Sequence, residues 1–203
     1  SIYLLPILIM IVGITGGIGS GKSVIANELR RMGFPVYDSD IQAKRIIQNN
    51  PSVREKIVEL FGEAVFDDGR YQTAVVAQKV FNNPSLLSQL NAIVHPSVRE
   101  DMLRWCSNQS SEITFVECAI IHTAGIDALC DRVVIVFADE EIRLQRVMER
   151  DHCTKDKVIA RVRAQDDEFL SLTDAIVLQN DGVVPISQLC EYVLGILLSD
   201  SSI

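Results

Sequence analysis

The chain has 203 residues, 48% of them hydrophobic and 23% charged, with a formal net charge of −8. That length suits one domain, or one core with insertions, and the composition excludes wholesale disorder. The acidic surplus argues against a nucleic-acid partner, although a local basic pocket can still hold a small anion.

Ile2 to Val12 is almost entirely apolar, with Pro6 inside it. It falls short of the roughly 20 residues that cross a bilayer, and it lacks the basic flank and cleavage site of a signal peptide. Residues 1–9 read as an upstream extension, Met10 resembles a natural start, and no membrane association is expected. Strand-like apolar runs follow at Met10–Thr15, Pro35–Asp38, Thr114–Cys118, Val133–Phe137 and Ala175–Leu178. Three of them are rich in Val and Ile without alternation, as strands covered on both faces of a parallel sheet are.

Helical patterns lie between these runs. The first spans Lys22–Met32 and stops at Gly33. The stretch from Ile41 to Asn108 reads as several helices broken by Pro51, Gly62, Gly69, Pro84 and Pro96. It is too long for a simple connection and is expected to be a helical insertion that builds a substrate site. Glu140–Asp151 and Lys155–Phe169 form two further helices. Pro185 opens a last amphipathic one, with Ile186, Leu189, Cys190, Val193 and Leu197 on one face. The βα alternation predicts an α/β fold. Cys106, Cys118, Cys130, Cys153 and Cys190 are scattered with no CxxC pair, so reduced thiols in a cytoplasm are expected rather than disulfides or a zinc site.

Gly16-Gly17-Ile18-Gly19-Ser20-Gly21-Lys22-Ser23 fits G-x-x-x-x-G-K-[ST], with a strand before it and a helix after it. The glycines let backbone N–H groups approach phosphate oxygens, and the helix offers its positive end to the same anion. Lys22 is placed to reach the β- and γ-phosphates of ATP, and the Ser23 hydroxyl to bind Mg²⁺. The alternative is a glycine-rich turn that happens to precede Lys-Ser.

Asp38-Ser39-Asp40 closes the second strand. In extended chain the two carboxylates face one way, at the edge where α/β sheets bind ligands. One can take or orient the proton of an attacking hydroxyl; equally, Asp40 can cap the next helix. Arg143, Arg146 and Arg150 share a helix face, and Arg161 and Arg163 follow on the next helix. They suit a lid that neutralises a transferring phosphoryl group, or a solvated face balanced by Glu140, Glu141 and Glu149. Glu117, at the end of the third strand, is either a partner of the Mg²⁺ shell or an incidental acid. A GTPase switch would need an N-K-x-D motif, which the sequence lacks.

Taken together, these residues resemble the dephospho-CoA kinase family. TGGIGSGKS runs through a helix and short strand into Asp38-Ser39-Asp40; Leu90 to Pro96 matches LNxxxHP. Phe61-Gly62 and Asp67-Asp68-Gly69 match its FG and D-x-D-G-like turns, Arg146–Asp151 its R-x-M-x-R-D lid start, Arg161 with Gln165 its R-x-x-x-Q, and Asn180-Asp181-Gly182 its N-D-G. The resemblance covers residues 10–198. It implies a three-layer P-loop fold, residues 10–203, with five parallel strands, a helical CoA-binding insertion over 41–110 and a lid over 140–170. It implies ATP-dependent phosphorylation of the ribose 3′-hydroxyl of dephospho-CoA by a monomer or small homo-oligomer.

The resemblance makes Asp40, Lys22 and Arg146 catalytic. It makes Gly17, Ile18, Gly19, Ser20, Gly21, Lys22, Ser23, Arg150 and Asn180 nucleotide-binding, with Asn180 near adenine. Asp38, His95, Arg99 and Arg161 fall to the acceptor. Three departures stand out: Ala119-Ile120-Ile121-His122-Thr123 where the family often has P-L-L-x-E, Gln179 where an Asp often precedes the Asn, and Tyr71-Gln72-Thr73 in place of a Leu-Asp-Arg type segment.

Overall fold

Residue chemistry sets the centre of the fold. The structure is a computed structural model that describes residues 9–152, 154–163, 166–169 and 171–200. The branched apolar residues of β1 (Met10–Thr15) lie in mid-sheet, with the burial expected of a strand covered on both sides. β1 pairs in parallel with β5 (Ile113–Glu117) on one side and β6 (Arg132–Phe137) on the other, and β7 (Ile176–Gln179) continues the sheet parallel to β6. β2 (Val36–Asp38) flanks β5, which gives the order β2-β5-β1-β6-β7. Helices cover both sides of this five-stranded parallel sheet. Each strand lies within about a residue of its expected place.

The chain divides into two units: residues 1–37 with 106–203, and residues 38–105. In the first, Val12, Ile14, Phe115, Val134 and Val136 of the sheet pack against Ile25 and Leu29 of α1 (Lys22–Arg31) and against Leu189, Cys190, Val193 and Leu197 of α8 (Ile186–Asp200). α6 (Glu140–Asp151) and α7 (Lys155–Arg163) share a smaller cluster of Leu144, Val147, Val158 and Val162. The expected helix Lys155–Phe169 is shorter: α7 runs to Arg163, and Asp166–Phe169 is a 3-10 turn.

The second unit holds α2 (Ser39–Asn49), α3 (Pro51–Phe61), α4 (Thr73–Val80) and α5 (Pro84–Ser107). Pro51 opens α3 behind Asn50, whose side chain caps it. Pro96, expected as a breaker, sits inside α5, which continues through it. A small hairpin, β3 (Phe66–Asp67) and β4 (Arg70–Tyr71), turns at Asp68 and Gly69, both with positive φ, as a primed two-residue turn requires. The expected N-terminal extension falls, Ile9 apart, outside the described residues, as do Cys153 and Gln165.

Candidate active site

The glycine-rich segment lies at the carboxyl end of β1, where the backbone turns into α1. Gly21 takes the N-cap position at φ 92°, ψ 21°, a left-handed conformation that disfavours side chains. A Cβ there would also run into the Asn180 amide. Lys22 is the first helical residue, half-buried, and Ser23 follows.

The outward carbonyls of the loop are held from one side. Arg143 Nε donates to Ile18 O at 2.9 Å. Asn180 Nδ2 donates to Ser20 O at 2.9 Å and is buried. Arg146 Nη1 donates to Asn180 O at 3.0 Å, with Gly19 O and Ser20 O each at 3.4 Å. In a planar trans peptide the N–H points opposite to the C=O. Holding the Ile18 and Ser20 carbonyls therefore directs the Gly19 and Gly21 N–H groups the other way. The Ser20 N–H donates to Gly17 O at 3.0 Å and tightens the turn. Among the described residues, the buried hydroxyls of Thr15 and Ser20, on and beside the loop, have no hydrogen-bond partner.

Ser23 Oγ donates to Glu117 Oε1 at 2.5 Å, and Arg30 stands 4.0 Å from the other carboxylate oxygen. Glu117 is buried at the end of β5, in register with Ile14. A hydroxyl and a carboxylate beside a phosphate loop are the hard oxygen donors that suit Mg²⁺, which takes one or two carboxylates and fills its shell with water and phosphate. Among the described residues no group of three or more His, Cys, Asp or Glu side chains forms a cation-binding cluster.

Arg150, further along α6, pairs with Asp151 at 2.7 and 3.1 Å. The Arg161 backbone lies in α7, but its side chain is outside the described ones. In the second unit the structure corrects the reading of the acidic pair. Ser39 is already helical, so Asp38 and Asp40 do not share an extended segment. Asp38, not Asp40, is the N-cap, its Oδ1 accepting from Ile41 N at 2.9 Å, and Asp40 lies exposed in the first turn. His95 and Arg99, one turn apart on α5, share a face and are half-buried.

Sequence reasoning missed Glu168 altogether. Its buried carboxylate accepts from Thr123 Oγ1 at 2.7 Å, Thr123 N at 3.0 Å and His122 N at 2.5 Å. An acid therefore stands at Thr123 after all, delivered from 45 residues further along the chain. Beside it, Asp127 Oδ2 lies 2.7 Å from His122 Nδ1 and raises the His122 pKa above its ordinary value through that hydrogen bond and its charge. Arg143 was legible as a member of the arginine face, but its contact with the loop was not.

A parallel sheet with a glycine-rich phosphate loop after its first strand, a lysine opening the following helix and a hydroxyl–carboxylate pair beside it defines a P-loop kinase fold. The family model described as dephospho-CoA kinase matches residues 10–185. A dephospho-CoA kinase from Porphyromonas gingivalis is 40% identical over 157 residues, covering 77% of this chain and 78% of its own. A crystal structure of a Thermus thermophilus protein superposes with a TM-score of 0.80 at 35% identity, over 95% of this chain and 97% of the other. A Campylobacter jejuni dephospho-CoA kinase shares the fold at 23% identity, with a TM-score of 0.67 over 94% of this chain and 98% of its own. The chain belongs to the dephospho-CoA kinase family.

Proposed function

We propose that this chain transfers the γ-phosphoryl group of ATP to the ribose 3′-hydroxyl of dephospho-CoA, giving CoA and ADP, the last step of CoA biosynthesis. Family membership supports the reaction, and the clamped peptides of the Gly16–Ser23 loop carry the assignment to a site. The N–H groups of Gly19 and Gly21 face a phosphate tail, aided by the end of α1 and by Lys22 at the β- and γ-phosphates. Gly17, Ile18 and Ser20 complete the loop. Ser23, with Glu117, would hold Mg²⁺, which when bound neutralises charge on the β- and γ-oxygens.

Asp40 takes the proton of the attacking hydroxyl. Arg146 balances charge on the moving phosphoryl group, and Arg150 reaches the nucleotide once released from Asp151. Asn180 holds the loop edge on the adenine side. Asp38 positions Asp40 through the cap of α2, while His95, Arg99 and Arg161 receive the acceptor. We assign residues 41–110 to acceptor binding and 140–170 to the lid.

Coupled ADP release with dephospho-CoA, AMP and CMP tests the substrate. Turnover is expected with dephospho-CoA; turnover confined to a nucleoside monophosphate overturns the reading. Asp40→Asn is expected to cut turnover by about 10²-fold or more with little change in ATP affinity. Loss of ATP binding with full turnover at saturation would contradict its role.

A further inference from the structure

Ile18 of the phosphate loop is held through both its side chain and its backbone by the helix pair behind it. Its side chain packs on the apolar cluster of Leu144, Val147, Val158 and Val162. Its carbonyl accepts the Arg143 Nε hydrogen bond at 2.9 Å. Arg143 also lies against Gly17: a Cβ added at that position would overlap the guanidinium, to which its three nearest atoms would all belong. Gly17 does not have a positive φ, so its backbone would accept a side chain. The obstacle is the guanidinium itself. A cationic donor on the Ile18 carbonyl does two things to the shared peptide. It fixes the plane, so the Gly19 N–H stays pointed away from α6, and it polarises the amide, which makes that N–H a stronger donor to an anion.

We propose that Arg143 is a positioning residue for nucleotide binding: from behind the loop it sets and polarises the Ile18–Gly19 peptide that meets the phosphates of ATP. This rests on the reading that the loop binds ATP. Arg146 also reaches the loop backbone, at 3.4 Å from Gly19 O and Ser20 O, but its proposed role is on the transferring group; the role proposed for Arg143 runs through the Ile18 carbonyl alone. The requirement for glycine at position 17 follows from the same contact.

The test is ATP binding by titration calorimetry, with steady-state kinetics, on the full chain carrying Arg143→Ala, Arg143→Gln, Gly17→Ala and the Gly17→Ala/Arg143→Ala double change. Losing a hydrogen bond from a charged group predicts an ATP affinity about 10-fold weaker in Arg143→Ala. The KM for ATP should rise in step, with kcat within about 2-fold and the KM for dephospho-CoA unmoved. Arg143→Gln keeps a neutral donor and should lose less. Gly17→Ala displaces the guanidinium and should match Arg143→Ala, and the double change should be no worse than either alone. Unaltered ATP affinity in Arg143→Ala, fully additive losses, or equal losses for ATP and dephospho-CoA would overturn the proposal. If Arg143→Ala does not fold, the Gln and Gly17 variants decide it. A parent protein that does not bind ATP overturns the phosphate-loop reading as well, whereas a parent that binds only as tightly as Arg143→Ala overturns this proposal alone.

Discussion

Glu168, Thr123, His122 and Asp127 show how individual side chains knit distant parts of the first unit. The buried Glu168 carboxylate takes three donors from the segment after β5. Thr123→Val removes the hydroxyl donor at nearly constant volume and should cost about 1–3 kcal/mol in urea unfolding, because the carboxylate keeps its burial but loses a bond. His122 is exposed, and Asp127 raises its pKa in the folded state. A raised value means that the folded chain binds the proton more tightly. The stabilisation is therefore complete below the unfolded His value and disappears as pH rises through the folded one. The stability gap between the parent and Asp127→Asn should be widest in mildly acidic buffer and close above neutrality. A gap that does not change across this range would show that the pair contributes no linked charge.

At α2 and α3 a side chain caps the first turn. Asp38 ends β2 and accepts from Ile41 N, so strand and helix meet without a linker. Asp38→Ala should therefore lose about 1 kcal/mol of stability, against a few tenths for Asp40→Asn, in matched denaturant melts. Equal losses would mean that Asp38 does not cap. α5 carries a local penalty instead. A proline inside a helix removes a hydrogen bond and costs about 3 kcal/mol. Nevertheless α5 runs through Pro96, with Val94, Val98 and Met102 buried along its length. Apolar burial at roughly 1.5–3 kcal/mol per side chain outweighs the local penalty, which no reading of punctuation residues could weigh.

Across the molecule, burial also acts on three thiols among the described residues. It pushes Cys106 and Cys190 up to about 11 and Cys130 up to about 12. At neutral pH these sulfurs are almost entirely protonated, and the thiolate is the reactive form. Alkylation in mildly alkaline buffer, read site by site by mass spectrometry, should stay slow at these three until denaturant unfolds the chain. Rapid labelling of Cys106 or Cys190 in the native protein would contradict their burial. Among the described helices none is long and apolar enough to cross a membrane.

The strands, the α/β class and the phosphate loop were legible in the linear order because each depends on neighbours within a few positions. Uninterrupted Val and Ile runs report burial on both faces, and G-x-x-x-x-G-K-S between strand and helix reports an anion site. The hairpin at Asp68-Gly69 carried a turn signal but only two paired residues on each side, too few to mark strands. The Arg143, Arg146 and Asn180 holds on the loop, and the Glu168 hold on Thr123, join residues up to 160 positions apart. Only the folded sheet brings such groups within hydrogen-bond reach, since side-chain direction and distance across layers leave no periodic trace along the chain.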